Sequence, residues 1–414
     1  MLEQLVEKAE KDCKHIHNKI NKTVEINQKR VLDAFKQNRV SDSHFNSTSG
    51  YGYDDMGRES LEKIYADVFG GEDALVRPQL VSGTHAISTT LFGLLRPNDE
   101  LIYITGKPYD TLEEVIGKRG KTDTGSLKDF QISYKEVNLN LNGSINYPSI
   151  EENISDKTKV IGIQRSKGYD DRPSFTVEEI GDMVNFIKDI NEDIIIFVDN
   201  CYGEFVEDIE PLHVGADIMA GSLIKNPGGG MVRAGGYIVG KEKLVLKCAN
   251  RLTAPGLGKE TGATLNTLHE MYQGFFMAPH VVGEALKGAV FTSRLLELAG
   301  YTTSPHYQAV RTDLIQSVTF QEEKEMVAFC QAIQESSPVN SFVKPYPSEM
   351  PGYEDQVIMA AGTFIQGSSI ELSADGPLRY PYIVFVQGGL TYAHVKIALT
   401  QSVKELQIKG FLTL

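Results

Sequence analysis

Five consecutive apolar residues, Ile194-Ile195-Ile196-Phe197-Val198, stop abruptly at Asp199-Asn200. β-Branched and aromatic side chains running without polar alternation fit a strand buried on both faces, as in a parallel α/β sheet. Strands of such sheets deliver functional groups at their carboxyl ends, which is where Asp199 falls. A second short apolar element, Ile218-Met219-Ala220-Gly221, leads into Ser222-Leu223-Ile224-Lys225-Asn226-Pro227 and the glycines Gly228-Gly229-Gly230. One carboxylate and one lysine therefore stand 26 positions apart, at the ends of two candidate neighbouring strands.

That pair suits pyridoxal phosphate, which needs a lysine amine for its Schiff base and an acidic partner for its pyridinium nitrogen. The plainer reading is a salt-bridged Asp and a surface Lys on an ordinary α/β domain. Other stretches bear on the choice. Ser82-Gly83-Thr84 opens an apolar helix from Ala86 to Leu95. Free amides at a helix N-terminus seat a phosphate, and Gly83 lets backbone approach closely. A plain Ser or Thr N-cap explains the same residues. His85 lines a pocket or serves structure. Tyr109 falls in a strand-to-helix loop after Glu100–Thr105, on the sheet edge of Asp199, where an aromatic can stack on a flat ring. The strand Lys159–Gln164 ends in Arg165-Ser166-Lys167, and Lys167 is the rival Schiff-base residue. It ranks second because it lies upstream of Asp199. Arg58, in the loop Thr48-Ser49-Gly50-Tyr51-Gly52-Tyr53-Asp54-Asp55-Met56-Gly57-Arg58, has a planar fork that matches phosphate. Arg379, just ahead of the apolar run Tyr382–Val386, suits a substrate carboxylate.

The rest of the chain is read more coarsely. Residues 1–48 form a helical arm that packs on a neighbouring subunit or on its own domain. Residues 49–300 form a large cofactor domain, and 301–414 a smaller C-terminal one. A capping box, Thr176 with Glu179, starts a helix. Residues 231–239 read as a strand broken by a turn, and 357–364 and 370–373 as two more strands. Pro279 kinks or splits a helical region over 262–300. At 414 residues and 41% hydrophobic content the chain can bury a large core. Its net charge of −14 argues against a nucleic-acid partner. No apolar run is long enough to span a membrane, and the charged first residues lack a signal-peptide core, so a cytoplasmic protein is expected. The cysteines, Cys13, Cys201, Cys248 and Cys330, are scattered and read as reduced thiols. No cluster with ligand spacing suggests a metal site. A GxxxxGK[ST] phosphate loop does not occur.

Six runs, TSGYGYDDMGRESLE, VSGTHAI, QRSKGYDDRPS, FVDNCYGEFVE, GSLIKNPGGGMVRAGGYIVG and ADGPLRYPYIVFVQGGL, span nearly the whole chain. Together they resemble the pyridoxal-phosphate enzymes of cysteine and methionine metabolism, in particular the methionine gamma-lyase-like family often labelled aluminium resistance protein. The resemblance implies the fold-type I, aspartate aminotransferase-like architecture: a large domain with a mostly parallel seven-stranded sheet and a small C-terminal α+β domain. It implies a homodimer, commonly paired into a homotetramer, with shared active sites. It implies Lys225 as Schiff-base lysine, Asp199 as pyridinium partner, and Ser82, Gly83, Thr84 and Ser222 as phosphate seat. It implies Tyr109 as stacking residue and acid, Arg58 with Tyr51 or Tyr53 as a phosphate clamp from the adjacent subunit, and Arg379 at the α-carboxylate. Arg165 and Lys167 would favour a second anionic group on the substrate.

The sequence departs from the well-studied lyases at Ile224, where they carry a hydroxyl residue, and in the five-residue spacing of Tyr53 and Arg58. The expected reaction is elimination of a thiol from a sulfur-containing amino acid, giving a 2-oxo acid and ammonia. The alternatives are a transferase or aminotransferase on the same scaffold, and a non-catalytic metal-tolerance protein.

Overall fold

In a computed structural model, which describes residues 1–414 except 171, 351, 352 and 414, the 194–198 run lies at the middle of a seven-stranded sheet. The sheet orders β1 (Asp73–Arg77), β7 (Gly236–Gly240), β6 (Ile218–Ser222), β5 (Ile195–Asp199), β4 (Thr158–Gln164), β2 (Glu100–Tyr103) and β3 (Ser133–Glu136). Only β7 is antiparallel to its neighbours. β5 is buried at all five positions, as its unbroken apolar run requires. Register sets Asp199 level with Gln164 on β4 and Ala220 on β6, so their carboxyl ends open at one edge.

The helices are α1 (Leu2–Gln37), α2 (Met56–Phe69), α3 (Gly83–Leu94), α4 (Asp110–Ile116) and α5 (Tyr147–Asn153). They continue as α6 (Val177–Ile190), α7 (Glu242–Leu252), α8 (Leu268–Leu298), α9 (Glu323–Glu335) and α10 (Tyr392–Ile408). The capping box forms at the start of α6: Thr176 Oγ1 accepts from the Glu179 amide, and the Glu179 carboxylate accepts from the Thr176 amide at 2.7 Å. No helix is long and apolar enough to cross a membrane among the described residues.

A second, antiparallel sheet orders β10 (Val357–Ala360), β11 (Ser373–Pro377), β12 (Tyr382–Gln387), β9 (Gln316–Phe320) and β8 (Thr302–Ser304). Three expectations shift here. The strand read over 370–373 lies later, at Ser373–Pro377, because pairing with β10 and β12 overrides the poor strand propensity of Ser-Ala-Asp-Gly-Pro. The strand read over 231–239 shortens to Gly236–Gly240. Pro279 sits inside an unbroken α8. α1 packs on α8 of its own chain: Val31 and Ala34 join the core under the first sheet, while Ala9 joins the core of the second. α8 makes the same passage, with Phe275 in the first core and Phe291 and Leu295 in the second. These two helices tie the sheets together.

Candidate active site

β5 ends in Asp199, and the chain turns at once through Asn200-Cys201-Tyr202. Asp199 Oδ1 accepts from the Cys201 amide at 3.2 Å. Tyr202 is held at φ +72, in the left-handed region that a non-glycine residue adopts at a cost of about 1–3 kcal/mol. The strain brings the phenol ring under Lys225, whose Nζ stands 3.6 Å from the ring centroid. Lys225 follows β6 by three residues and caps a short 3-10 turn, so its side chain crosses toward the Asp199 loop. Burial alone would lower the Lys225 amine, but Tyr202, Cys201 and Asp199 outweigh it and hold it above its ordinary range. Burial raises Asp199, opposed by the Cys201 amide and thiol, Lys225 and Arg172.

These groups face a cavity of about 180 Å³ that Ser82, Thr84, Tyr109 and Ser222 also line. Ser82 is the N-cap of α3, its Oγ accepting from the His85 amide at 3.1 Å. The next amides of α3 open toward the cavity with the positive end of the helix dipole. A Cβ on Gly83 would stand 3.1 Å from the Ser222 side chain, which would have to give by a few tenths of an ångström, and at an ordinary 3.5 Å from Cys201 Sγ, so glycine eases the close approach. Thr84 shares a hydrogen bond with Thr111 at 3.1 Å. His85 turns away and accepts from the Val81 amide, a structural role.

Tyr109 stands at the other wall. Its amide donates to Gln164 Oε1 at 2.6 Å, and its hydroxyl meets that of Tyr353 at 2.6 Å. Burial first, then Tyr202, Tyr353 and Asp375, push the Tyr109 hydroxyl well above the usual phenol range. A second, smaller cavity beyond Tyr109 is bordered by Lys107, Gln164, Lys167, Tyr169 and Arg379. Arg379 is half exposed there and pairs with Asp355 at 2.9 Å. Lys167 is buried, with Nζ 3.3 Å from Ser317 Oγ and 3.5 Å from Ser304 Oγ.

Two sequence assignments are corrected. Arg165 does not reach the cavity. It lies completely buried beneath the Asp199 loop, donating to Asn200 Oδ1 at 2.8 Å, Glu207 Oε1 at 2.8 Å and Glu210 Oε2 at 3.3 Å. Strand alternation turns it to the opposite side from its neighbours Gln164 and Ser166, which do line the cavity. Arg58 is buried too, and its guanidinium donates to the carbonyls of Gly52 at 2.6 Å, Gly262 at 3.0 Å and Glu260 at 3.4 Å. Buried and held by three carbonyls of its own chain, with Nε left without a hydrogen-bond partner among the described residues, it secures the loop and does not reach out to a neighbour's phosphate. Tyr51 and Tyr53 on that loop stay more than half exposed and stack at 5.3 Å.

Sequence reasoning did not single out Tyr202, Tyr169, Tyr353 or Asp375. Tyr202 and Tyr169 lie just past the carboxyl ends of β5 and β4, a signal that could have marked them. Tyr353 and Asp375 come from the C-terminal segment, and nothing local in sequence ties them to this edge.

The model of a protein family described as methionine gamma-lyase matches residues 2–407. A Bacillus subtilis protein, YnbB, is 62% identical over 409 residues, 99% of this chain and 97% of its own length. A solved structure from Listeria monocytogenes, named for a proposed cystathionine beta-lyase involved in aluminium resistance, aligns with a TM-score of 0.96 at 60% identity, covering 97% of this chain and 99% of that one. A carbon-sulfur lyase involved in aluminium resistance from Clostridium novyi aligns at 0.94 with 47% identity, covering 98% and 96%. The pyridoxal-5'-phosphate dependent protein YhfS from Escherichia coli, at 16% identity and a TM-score of 0.63 over 93% and 97% of the two chains, shares the fold alone.

Proposed function

We propose, for a chain that belongs to the methionine gamma-lyase family, the breaking of a carbon–sulfur bond in a sulfur-containing amino acid, with pyridoxal phosphate as cofactor. The observation that carries this reading is the convergence of Lys225, Asp199 and the N-terminus of α3 on one cavity. The donor set fits the cofactor: an amine for its aldehyde, a buried carboxylate for its ring nitrogen, and hydroxyls with helix amides for its phosphate. Gly83 supports the fit, since a Cβ there would press on the Ser222 side chain.

Pyridoxal phosphate supplies, when bound, a carbonyl that condenses with an amino group and a ring that absorbs the electrons of a deprotonated α-carbon. The chain's own groups do the rest. Ser82, Gly83, Thr84 and Ser222 would hold the phosphate. Asp199 keeps the ring nitrogen protonated, because a cation beside it favours the ionised carboxylate that burial alone disfavours. Tyr109 would cover the ring, and the amine of Lys225, once free, would take the substrate's α-proton. The Tyr109 hydroxyl, kept protonated by its surroundings, gives a proton to the departing sulfur. Arg379 at the rim offers a fork to the α-carboxylate once Asp355 yields it. The products are a thiol, a 2-oxo acid and ammonia.

Purified protein should carry a visible absorbance band. Borohydride should abolish that band and leave the reduced cofactor covalently attached to the peptide containing Lys225. The same protein should release thiol and 2-oxo acid from a panel of cystathionine, cystine and methionine. Label on Lys167, or an aminated acceptor as the only product, would replace this reading with a different lysine or with amino-group transfer.

A further inference from the structure

Among the described residues, no carboxylate comes within ion-pair distance of the Lys225 amine. Its Nζ instead meets the face of the Tyr202 ring, 3.6 Å from the centroid. An aromatic face is the negative side of a quadrupole and attracts an ammonium. We propose that this face is the resting place of the Lys225 amine whenever the amine is free and protonated, so that Tyr202 is a positioning residue acting through Lys225. The role rests on the reading of Lys225 as the lysine that carries the cofactor.

The local structure is built to put the ring there. Tyr202 stands at φ +72, and a second left-handed non-glycine residue, Phe205 at φ +63, follows in the same turn. Such conformations persist only where the surroundings over-determine them. The Asn200 amide donates to the Ala220 carbonyl of β6 at 3.1 Å, and the Gly203 amide to the Asn200 carbonyl at 3.0 Å. Arg165 holds the Asn200 side chain from below at 2.8 Å. A Cβ on Gly203 would stand 2.6 Å from Arg165 Cδ, so a side chain there would push the buried guanidinium aside. On the other side Asn226, the residue after Lys225, donates from Nδ2 to the Glu204 carbonyl at 2.9 Å. The turn bearing the lysine and the turn bearing the ring are thus tied to each other as well as to the sheet.

The electrostatics call for such a holder. Burial works against a charged amine here, and Tyr202 comes first among the groups that outweigh it, before Cys201 and Asp199. The charge of Lys225 also reaches Glu204 of the same loop and Asp375 of β11, and Arg172 acts on Asp199. A buried carboxylate in direct contact would bind the ammonium and keep its proton. An aromatic face holds a cation more loosely, by a factor of about two to thirty in its equilibrium.

The holder matters at one step. Taking the α-proton turns the Nζ lone pair into an N–H bond, while the C–H electron pair stays with the substrate carbon. A unit positive charge then appears on a buried nitrogen that has no ion pair. The Tyr202 face stabilises that charge without taking the proton. The proton passes to solvent when the amine returns to the cofactor, so Tyr202 ends the turnover unchanged.

The test changes the charge of the ring face and keeps its shape. Full-length protein is made with Tyr202→Phe, or with pentafluorophenylalanine in place of Tyr202, whose face is no longer negative. Stripped of cofactor and held at about pH 8, each is treated with a trace of acetic anhydride. The acetylated Lys225 peptide is quantified against an exposed lysine such as Lys404. Below the amine's midpoint the rate follows the fraction of free amine. The Phe protein should react within about twofold of wild type, and the fluorinated one about two- to thirtyfold faster. In the loaded enzyme, loss of the substrate's α-proton signal in deuterium oxide should slow with the fluorinated ring, by up to the same factor, and stay near wild type with Phe. Equal acetylation of the Phe and fluorinated proteins, or unchanged α-proton loss in the fluorinated one, would overturn the proposal. The acetylation rates are read without cofactor or substrate. A borohydride label on another lysine would therefore sink the lyase reading, and this role with it, whatever those rates show.

Discussion

A carboxylate in a dry pocket stays ionised only if something cationic faces it. Asp199 is buried, and its amide, thiol and cationic neighbours only partly offset the effect of burial. A protonated ring nitrogen supplies the missing partner. An amide of the same shape cannot hold that proton, so Asp199→Asn should fold normally and bind cofactor yet lose about a hundredfold or more in kcat, the scale of removing one preorganised charge partner. Near-wild-type turnover in the purified, cofactor-loaded variant would leave Asp199 with structure alone to serve. Tyr109 obeys the same electrostatics with the opposite sign. Burial first, then phenolic and acidic neighbours, keep its proton on, which rules out an ionised base at neutral pH.

At the level of elements, the loop after β5 depends on a charge beneath it. Arg165, fully buried on β4's carboxyl end, binds Asn200 and Glu210 of that loop and Glu207 at its far end. Removing one partner of a buried ion pair strands the other, so Arg165→Ala should cost about 3–5 kcal/mol in denaturant unfolding and loosen the turn that aims Tyr202. A loss under 1 kcal/mol would mean that the acids ionise into solvent instead. This network also explains where sequence reading stopped. Ile194–Val198, Asp199, Lys225 and the Ser82 cap were legible because periodicity and turn chemistry are local. Whether Arg165 faces the cavity or the core depends on the side to which the chain turns it, one residue past the end of β4. Arg58 was legible as a guanidinium ahead of a helix, but its carbonyl partners at 260 and 262 are about two hundred residues away. β11 was misplaced because Ser-Ala-Asp-Gly-Pro has little strand propensity and pairs only by virtue of its neighbours.

At the level of the whole molecule, the phosphate seat is short of donors: among the described residues, Lys225 is the only Lys or Arg that lines the cavity, and a phosphate wants more. Val81, beside the seat, is 72% exposed, and the stacked Tyr51 and Tyr53 are exposed on a loop that Arg58 holds rigid. Apolar and aromatic surface next to an incomplete site is what a two-fold partner would cover. The expected arrangement is a homodimer in which Tyr53 of each copy reaches the other's phosphate seat. Combining Tyr51→Ala with Tyr53→Ala should weaken cofactor retention and activity without unfolding the chain, and Lys225→Ala should be inactive. Mixed one to one under subunit exchange, half the dimers become hybrids, each with one doubly damaged site and one intact site. Activity should therefore recover to about a quarter of the wild-type rate, as an isologous two-fold interface requires. Exchange demonstrated by mass without any recovery would show that each chain completes its own site, and the exposed tyrosines would need another explanation.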